Sequence, residues 1–268
     1  MNLNLQNKLK TIPQKNLRYI LPNTLTVIGV CIGLSSIKFA LDARFDLSII
    51  AILIAAIIDS LDGRIARLIK GTSKVGKELD SLTDVISFGV APAFIMYFWY
   101  LNQMGKVGWL LSLIYIVCVA LRLARFNITT NQYSSWKDNF FEGVPSPAGA
   151  VLLLLPLILE QSNLFYIVQY NNQVISVIFI IIPLLMISKI PTYSMKKIVI
   201  PRKTTVFLLF GIGLYFGLLI IYTFKVLFIS GIFYLLCMPI SYFHFKKLNT
   251  NYEKLSKNNE DDDQEDML

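Results

Sequence analysis

DSLDGRIARLIKGTSKVGKELDSLTD, residues 59–84, is the segment around which the rest of the chain is organised. It separates two apolar runs, 47–58 and 85–101, and the second run contains no charged residue. A carboxylate at the edge of a helix of hydrocarbon length costs several kcal/mol, about 3 for an aspartate at the bilayer centre, unless something neutralises it. The stretch holds four of them, Asp59, Asp62, Asp80 and Asp84. We therefore expect a specific partner for these carboxylates, and we interpret it as a metal that holds a phosphate.

The spacing of the aspartates predicts two helices that each present a pair of carboxylates. At about 100° per residue, Asp59 and Asp62 lie one turn apart, and Asp80 and Asp84 share a face of a second helix. Small residues frame both pairs, so the two backbones are expected to approach closely. Oxygen ligands without matching His or Cys favour Mg²⁺, Mn²⁺ or Ca²⁺ over Zn²⁺. Four negative charges balance two divalent ions, and two ions roughly 4 Å apart form the known clamp for in-line displacement at phosphorus.

The stretch resembles, position for position, the signature of the CDP-alcohol phosphotransferase family: Asp59-x-x-Asp62-Gly63-x-x-Ala66-Arg67, then eight residues, then Gly76-x-x-x-Asp80-x-x-x-Asp84. Members of that family are membrane enzymes that move a phospho-alcohol group from a CDP-linked donor to a second alcohol and release CMP. The resemblance implies two divalent cations, Mg²⁺ or Mn²⁺, with four metal ligands, Asp59, Asp62, Asp80 and Asp84. It also implies that Asp84 is catalytic, as the general base for the attacking hydroxyl. The alternative is a polar kink between helices that contains acids by accident.

The resemblance also implies six residues that bind the CDP-linked donor: Asn23, Thr26, Gly63, Arg67, Ser73 and Gly76. The first two, at the start of the first apolar run, would contact the CDP part. The arginine would meet the donor phosphates, and the glycines would leave room for the cytidine or ribose. Asn23 and Thr26 are equally consistent with simple helix capping.

The composition predicts an all-α fold, a polytopic transmembrane helical bundle like that of the CDP-alcohol phosphotransferases. Of the 268 residues, 55% are hydrophobic and 16% are charged, and the mean hydropathy is +0.59. A soluble domain of this size would not need so many uninterrupted apolar runs. We count about eight candidate spans: 22–41, 46–65, 81–101, 107–126, 146–161, 173–189, 204–223 and 226–244.

The distribution of basic residues predicts the orientation in the membrane. Most of the 25 lysines and arginines fall in loops on one side of the eight predicted spans. The positive-inside rule places that side, both termini and the aspartates in the cytoplasm. CDP-linked donors and CMP are cytoplasmic molecules, and we expect a bacterial inner membrane. The predicted organisation is a cytoplasmic segment over 1–20, a membrane-embedded catalytic domain over 21–245 and a charged, disordered tail over 246–268.

Three further segments bear on the acceptor alcohol. They are VISFGVAPA at 85–93, RLARFN at 122–127 and FEGVPSPA at 141–148. With the aspartate motif they resemble the branch of the family that uses L-serine, which implies that CDP-diacylglycerol and serine give phosphatidylserine and CMP in phospholipid biosynthesis. Arg122 and Arg125 form a fork of guanidinium donors that suits the serine carboxylate. An acceptor phosphate would suit arginines too, and snorkelling arginines would look the same.

Two alternative functions stay open. One is the same chemistry with another acceptor, above all glycerol 3-phosphate. The other, from a different class, is a secondary transporter that uses intramembrane acids as a cation site. Arg67 and the glycine spacing argue against a transporter, since a cation path needs neither. The family resemblance also implies a homodimer in the lipid bilayer, and no nucleic-acid partner is expected.

Overall fold

The computed structural model describes residues 14–69, 71, 73–129, 140–164, 172–193 and 202–265 of the chain. Almost all of these residues are helical, in ten α-helices and two short turns of other helix types. The α-helices are α1 (Gln14–Leu41), α2 (Phe45–Leu68), α3 (Lys74–Asp84), α4 (Ala91–Trp99), α5 (Lys106–Thr129), α6 (Ser146–Leu153), α7 (Leu155–Ser162), α8 (Asn172–Ile187), α9 (Arg202–Ile221) and α10 (Thr223–Glu265). The chain divides after Leu123 into two units. The prediction of an all-α fold is confirmed.

In the first unit, α1 packs closely against α2, α3 and the segment that follows α3. Glycines on α1 permit this approach. A Cβ at Gly33 would overlap the side chain of Ser87, and a Cβ at Gly29 would meet Ile58 and Thr83 at 3.7 and 3.8 Å. Small residues at the contact let helix backbones come together in an apolar environment. The first three predicted spans therefore form one closely packed group.

The third predicted span, 81–101, contains a change of helix type. A π-helical turn, Val85–Val90, joins α3 to α4, and the N–H of Ala91 donates to the carbonyl of Ile86, five residues back. Pro92 gives the physical reason. Proline has no N–H, and its ring clashes with the carbonyl four residues earlier, so a regular α-helix is disfavoured at this point.

The second unit contains a small two-stranded ribbon that the sequence did not predict. Strands β1 (Phe140–Glu142) and β2 (Pro191–Tyr193) are antiparallel, with Phe140 opposite Tyr193. The Tyr193 hydroxyl lies 3.0 Å from Nδ1 of His244, which ties the ribbon to α10. Three-residue strands carry too little alternation to be recognised from a sequence.

Six of the predicted spans each coincide with a single helix. The span 146–161 coincides with the consecutive helices α6 and α7, and the span 81–101 covers the end of α3, the π-helical turn and α4. In the described part of the chain, five helices are long and apolar enough to cross a membrane: Ile20–Leu41, Val75–Trp99, Lys106–Ile128, Thr204–Ile221 and Thr223–Thr250. Helix α2 is 24 residues long but carries the first aspartate pair and two arginines. The total of eight spans remains a prediction.

The domain boundaries also remain predictions. Residues 1–13 of the expected N-terminal segment lie outside the described part of the chain. The backbone of α10 continues as helix to Glu265, into the segment 246–268 for which the sequence predicts a disordered tail. Lysine and glutamate in that segment are good helix formers, so a helix that begins in the apolar part can extend into it.

Candidate metal centre

Three of the four predicted metal ligands form one cluster. Asp59 and Asp62 lie on the last turns of α2, and Asp80 lies on α3. Each offers a carboxylate oxygen, and these oxygens all lie within 4.8 Å of one another. The linker between α2 and α3 is short, so α3 begins beside the helix that carries the first pair. The structure thus brings acids from two neighbouring helices to one point.

Asp84, the fourth predicted ligand, adjoins the cluster through Asp59. The carboxyl groups of Asp59 and Asp84 lie close enough to interact electrostatically. Two carboxylates this close repel each other unless a proton or a cation lies between them. Arg122, on α5, is close enough to interact electrostatically with Asp84. Asp84 is therefore subject to the charges of both the acidic cluster and a guanidinium.

The donor set of this cluster fits a hard divalent cation. Among the described residues, Oδ1 of Asp62 and Oδ1 of Asp84 are buried without a hydrogen-bond partner. A buried carboxylate oxygen without a partner is costly, and a bound cation removes that cost. No His or Cys in the described ranges joins the cluster. Ligands that are all carboxylate oxygens suit Mg²⁺, Mn²⁺ or Ca²⁺.

Thr26 orients one of these carboxylates. Its hydroxyl oxygen lies 2.6 Å from Oδ2 of Asp62 and 3.0 Å from the carbonyl oxygen of Pro22, so its single proton can go to either acceptor. Both Thr26 and Asp62 are buried. The alternative role of Asn23 and Thr26 as helix caps is wrong, because α1 begins at Gln14 and Pro22 lies inside it.

Three of the predicted donor-binding residues meet at the start of α3. The Ser73 hydroxyl accepts a hydrogen bond from the Gly76 N–H at 2.9 Å, which caps this helix. A Cβ at Gly76 would lie 2.8 Å from Oδ1 of Asn23 and 3.1 Å from Oγ of Ser73. Glycine at 76 therefore lets α1 approach the first turn of α3. The free N–H groups of a helix N-terminus favour an anion such as a phosphate.

The other two predicted donor-binding residues, Gly63 and Arg67, lie four residues apart on α2. A Cβ built on Gly63 would meet nothing within 4 Å among the described residues, so there is open space beside it. Arg67 is exposed in the last turn of the same helix. The spacing of four residues puts the open space and the guanidinium on one side of α2.

The two arginines predicted to bind the acceptor have different surroundings. Arg122 is only 8% exposed, which excludes a snorkelling side chain, and it interacts electrostatically with Asp84. Arg125 donates to the carbonyl oxygens of Ile187 and Ser188 at 2.7 and 3.4 Å. These carbonyls end α8, so the guanidinium of Arg125 caps that helix. Binding of an acceptor by either arginine remains a prediction.

Comparison with known proteins adds an independent line of support. A sequence model of the CDP-alcohol phosphatidyltransferase family matches residues 19–187, which include the whole aspartate cluster and end with α8. The CDP-diacylglycerol–serine O-phosphatidyltransferase of Helicobacter pylori (strain ATCC 700392 / 26695) is 37% identical over 199 residues, 74% of this chain and 82% of that one.

Two further relatives match over shorter parts of the chain. The protein of the same name from Mycobacterium leprae is 47% identical over 137 residues, 50% of this chain and 45% of that one. The archaetidylserine synthase of Methanothermobacter thermautotrophicus is 35% identical over 181 residues, 63% of this chain and 68% of that one. The match thus covers less than half of the mycobacterial chain but most of the Helicobacter chain.

Proposed function

The chain belongs to the CDP-alcohol phosphatidyltransferase family, and from that premise we propose that it transfers the phosphatidyl group of CDP-diacylglycerol to L-serine. The serine hydroxyl oxygen bonds to the phosphorus, the pyrophosphate bond breaks, and the products are phosphatidylserine and CMP. The observation that carries the proposal is the cluster of Asp59, Asp62 and Asp80 in a chain whose relatives bear that enzyme's name. Five helices in the described part of the chain are long and apolar enough to cross a membrane, as expected of an integral membrane protein.

The proposed metal centre consists of two divalent cations, Mg²⁺ or Mn²⁺, held by the four carboxylates. When bound, such cations stabilise negative charge on phosphoryl oxygens and on the CMP leaving group. Thr26 supports this centre, because its contact with Asp62 fixes the direction of one carboxylate. Hydrogen bonds of this kind orient metal ligands and influence metal affinity.

The proposed general base is Asp84, which takes the proton from the attacking serine hydroxyl. Two observations support it: Oδ1 of Asp84 is buried without a hydrogen-bond partner among the described residues, and its carboxyl group lies near that of Asp59. A carboxylate beside divalent cations stays ionised near neutral pH and can accept a proton. Arg122 lies within electrostatic range of Asp84, so a serine carboxylate bound by Arg122 would bring its hydroxyl near this base. Arg125 is the second proposed acceptor contact.

The proposed donor site lies along α1, α2 and the start of α3. Asn23, Ser73 and Gly76 gather at the N-terminus of α3, where N–H groups favour the pyrophosphate. The open space beside Gly63 would receive the cytidine or ribose. Arg67, exposed on the same side of α2, would contact the donor phosphates.

The orientation and assembly are further parts of the proposal. Both termini and the aspartate cluster would face the cytoplasm of a bacterial inner membrane, since the basic loops lie on that side. The enzyme would act as a homodimer, as expected from the family.

An acceptor panel tests this function. The purified protein is given CDP-diacylglycerol with serine, glycerol 3-phosphate, inositol phosphate or choline, and CMP release is measured. We expect release with serine alone. Faster release with glycerol 3-phosphate would assign another acceptor, and the absence of CMP with every alcohol would favour a transporter.

A further inference from the structure

Within the π-helical turn after Asp84, the carbonyl of Phe88 lacks its usual helical donor because of Pro92. In an α-helix the carbonyl of Phe88 would accept from the N–H of residue 92, which is Pro92 and has none. Phe88 is fully buried, so water cannot supply the missing hydrogen bond. A buried carbonyl without a partner destabilises a fold. Another part of the chain must therefore provide a donor.

Tyr115 provides it. The hydroxyl of this fully buried side chain on α5 donates to the Phe88 carbonyl at 2.8 Å. Two more residues on the same face of α5 lie near the segment around the π-turn. A Cβ at Gly89 would lie 3.2 Å from Cγ1 of Val119, and Arg122 interacts with Asp84. Residues 115, 119 and 122 thus lie along the segment, and Tyr115 holds it by a hydrogen bond.

The π-turn sets the direction in which the second aspartate pair points. An α-helix turns by about 100° per residue, so one additional residue in a turn rotates everything before it by about that angle. On the far side of the turn, α4 is fixed in the core, with Ala91, Ala93 and Met96 fully buried. The π-turn therefore rotates α3, which carries Asp80 and Asp84, relative to α4. Turns of π-helix inside α-helices occur frequently at functional sites.

We propose that Tyr115 is a positioning residue of the metal centre: its hydrogen bond to Phe88 keeps the π-turn and thereby directs the carboxylates of Asp80 and Asp84 toward those of α2. The inference rests on the proposed function, because it assumes that the aspartate cluster binds divalent cations. Tyr115 does not itself touch a metal or substrate in this account.

Binding of Mn²⁺ to the purified protein in detergent, measured by electron paramagnetic resonance, tests the inference without the reaction. Y115F removes only the hydroxyl, and we expect its Kd for Mn²⁺ to rise at least fivefold. The matched control is Y97F, which removes a hydroxyl on α4 whose only hydrogen bond to a described residue is a 3.4 Å contact with Asn102. Its Kd should stay within twofold of the wild-type value. An unchanged Kd in Y115F would overturn the inference.

A second variant separates positioning from stability. P92A restores an N–H that can donate to the Phe88 carbonyl in an α-helical bond. The double variant Y115F/P92A should therefore regain the thermal midpoint that Y115F loses, but without the π-turn it should keep the weak Mn²⁺ binding. Recovery of both properties would overturn the inference, since it would show that Tyr115 only satisfies a carbonyl.

D80N distinguishes failure of the inference from failure of the proposed function. It should abolish most Mn²⁺ binding. If the wild-type protein binds no Mn²⁺, or D80N binds it equally well, the proposed metal centre is wrong and the role of Tyr115 in it is overturned as well.

Discussion

Asp84 is the residue on which the proposed chemistry depends most. Its Oδ1 is buried without a hydrogen-bond partner among the described residues, and its carboxyl group lies near that of Asp59. We predict that Asp84→Asn lowers kcat for CMP release by about 10²- to 10⁴-fold, the usual contribution of a general base. The fold and donor binding should persist, because asparagine has nearly the same shape. Asp46→Asn, in the first turn of α2, is the control and should retain wild-type activity. Wild-type rates in Asp84→Asn would refute the general-base assignment.

Thr26 allows a second test at the same scale. Thr26→Val keeps the shape of the side chain but removes the hydroxyl that lies 2.6 Å from Asp62. Loss of a hydrogen bond to a metal ligand typically costs about 10- to 100-fold in metal affinity or activity. We expect the Mn²⁺ concentration for half-maximal CMP release to rise by at least tenfold. Thr24→Val is the control, because among the described residues the exposed Thr24 hydroxyl bonds only to the carbonyl of Ile20. An equal rise in both variants would contradict the account.

We predict that the two arginines contribute unequally to binding of the acceptor. Arg122 is buried beside Asp84, whereas Arg125 donates to the end of α8. We predict that Arg122→Lys raises the KM for serine by about tenfold, the loss of one charge-assisted hydrogen bond, with the KM for CDP-diacylglycerol changed less than twofold. Arg125→Lys should raise the serine KM less. An unchanged serine KM in Arg122→Lys would remove Arg122 from the acceptor site.

At the scale of the helices, two glycines should respond in opposite ways to substitution by alanine. A Cβ at Gly33 would overlap Ser87, whereas a Cβ at Gly63 would meet open space. We predict that Gly33→Ala lowers the free energy of unfolding by about 1–3 kcal/mol, the usual cost of overpacking. Gly63→Ala should leave stability unchanged or higher but raise the KM for CDP-diacylglycerol. Thermal denaturation and initial rates measure the two effects. A donor KM that Gly63→Ala leaves unchanged would place the nucleotide elsewhere.

The helices show what periodicity can and cannot predict. Spacing at 100° per residue was enough to place Asp59 with Asp62 and to put Asp80 on a facing helix, because both stretches are regular α-helix. The π-helical turn Val85–Val90 was not predicted, because a uniformly apolar segment does not reveal a change of helix type. Pro92 was the one visible signal, since it removes the donor for a carbonyl four residues earlier.

Tertiary contacts account for the roles that the sequence left open. Capping and donor binding by Asn23 and Thr26 could not be separated until the structure placed the start of α1 at Gln14. Arg122 and Arg125 looked alike because they lie one turn apart on one helix. Their partners come from other helices, and a single sequence does not indicate which helices pack together.

At the scale of the whole molecule, the length and hydropathy of the apolar runs predicted the positions of the helices well. All eight apolar segments coincide with helical segments, since each apolar run is long enough to be recognised without knowledge of its neighbours. The family match ends at residue 187, so α9 and α10 lie outside it. For these two helices the sequence predicted only that they are apolar spans. No role in the reaction is assigned to them.

The central claim is that the clustered aspartates support metal-dependent transfer of the phosphatidyl group to serine. The most direct measurement follows radiolabelled serine into lipid and CMP into solution, using purified protein with CDP-diacylglycerol, before and after chelation of divalent cations. The account predicts phosphatidylserine and CMP in equal amounts, loss of both on chelation, and recovery with Mg²⁺ or Mn²⁺. Labelled lipid formed at an undiminished rate in the chelated protein, or CMP without labelled lipid, would contradict it.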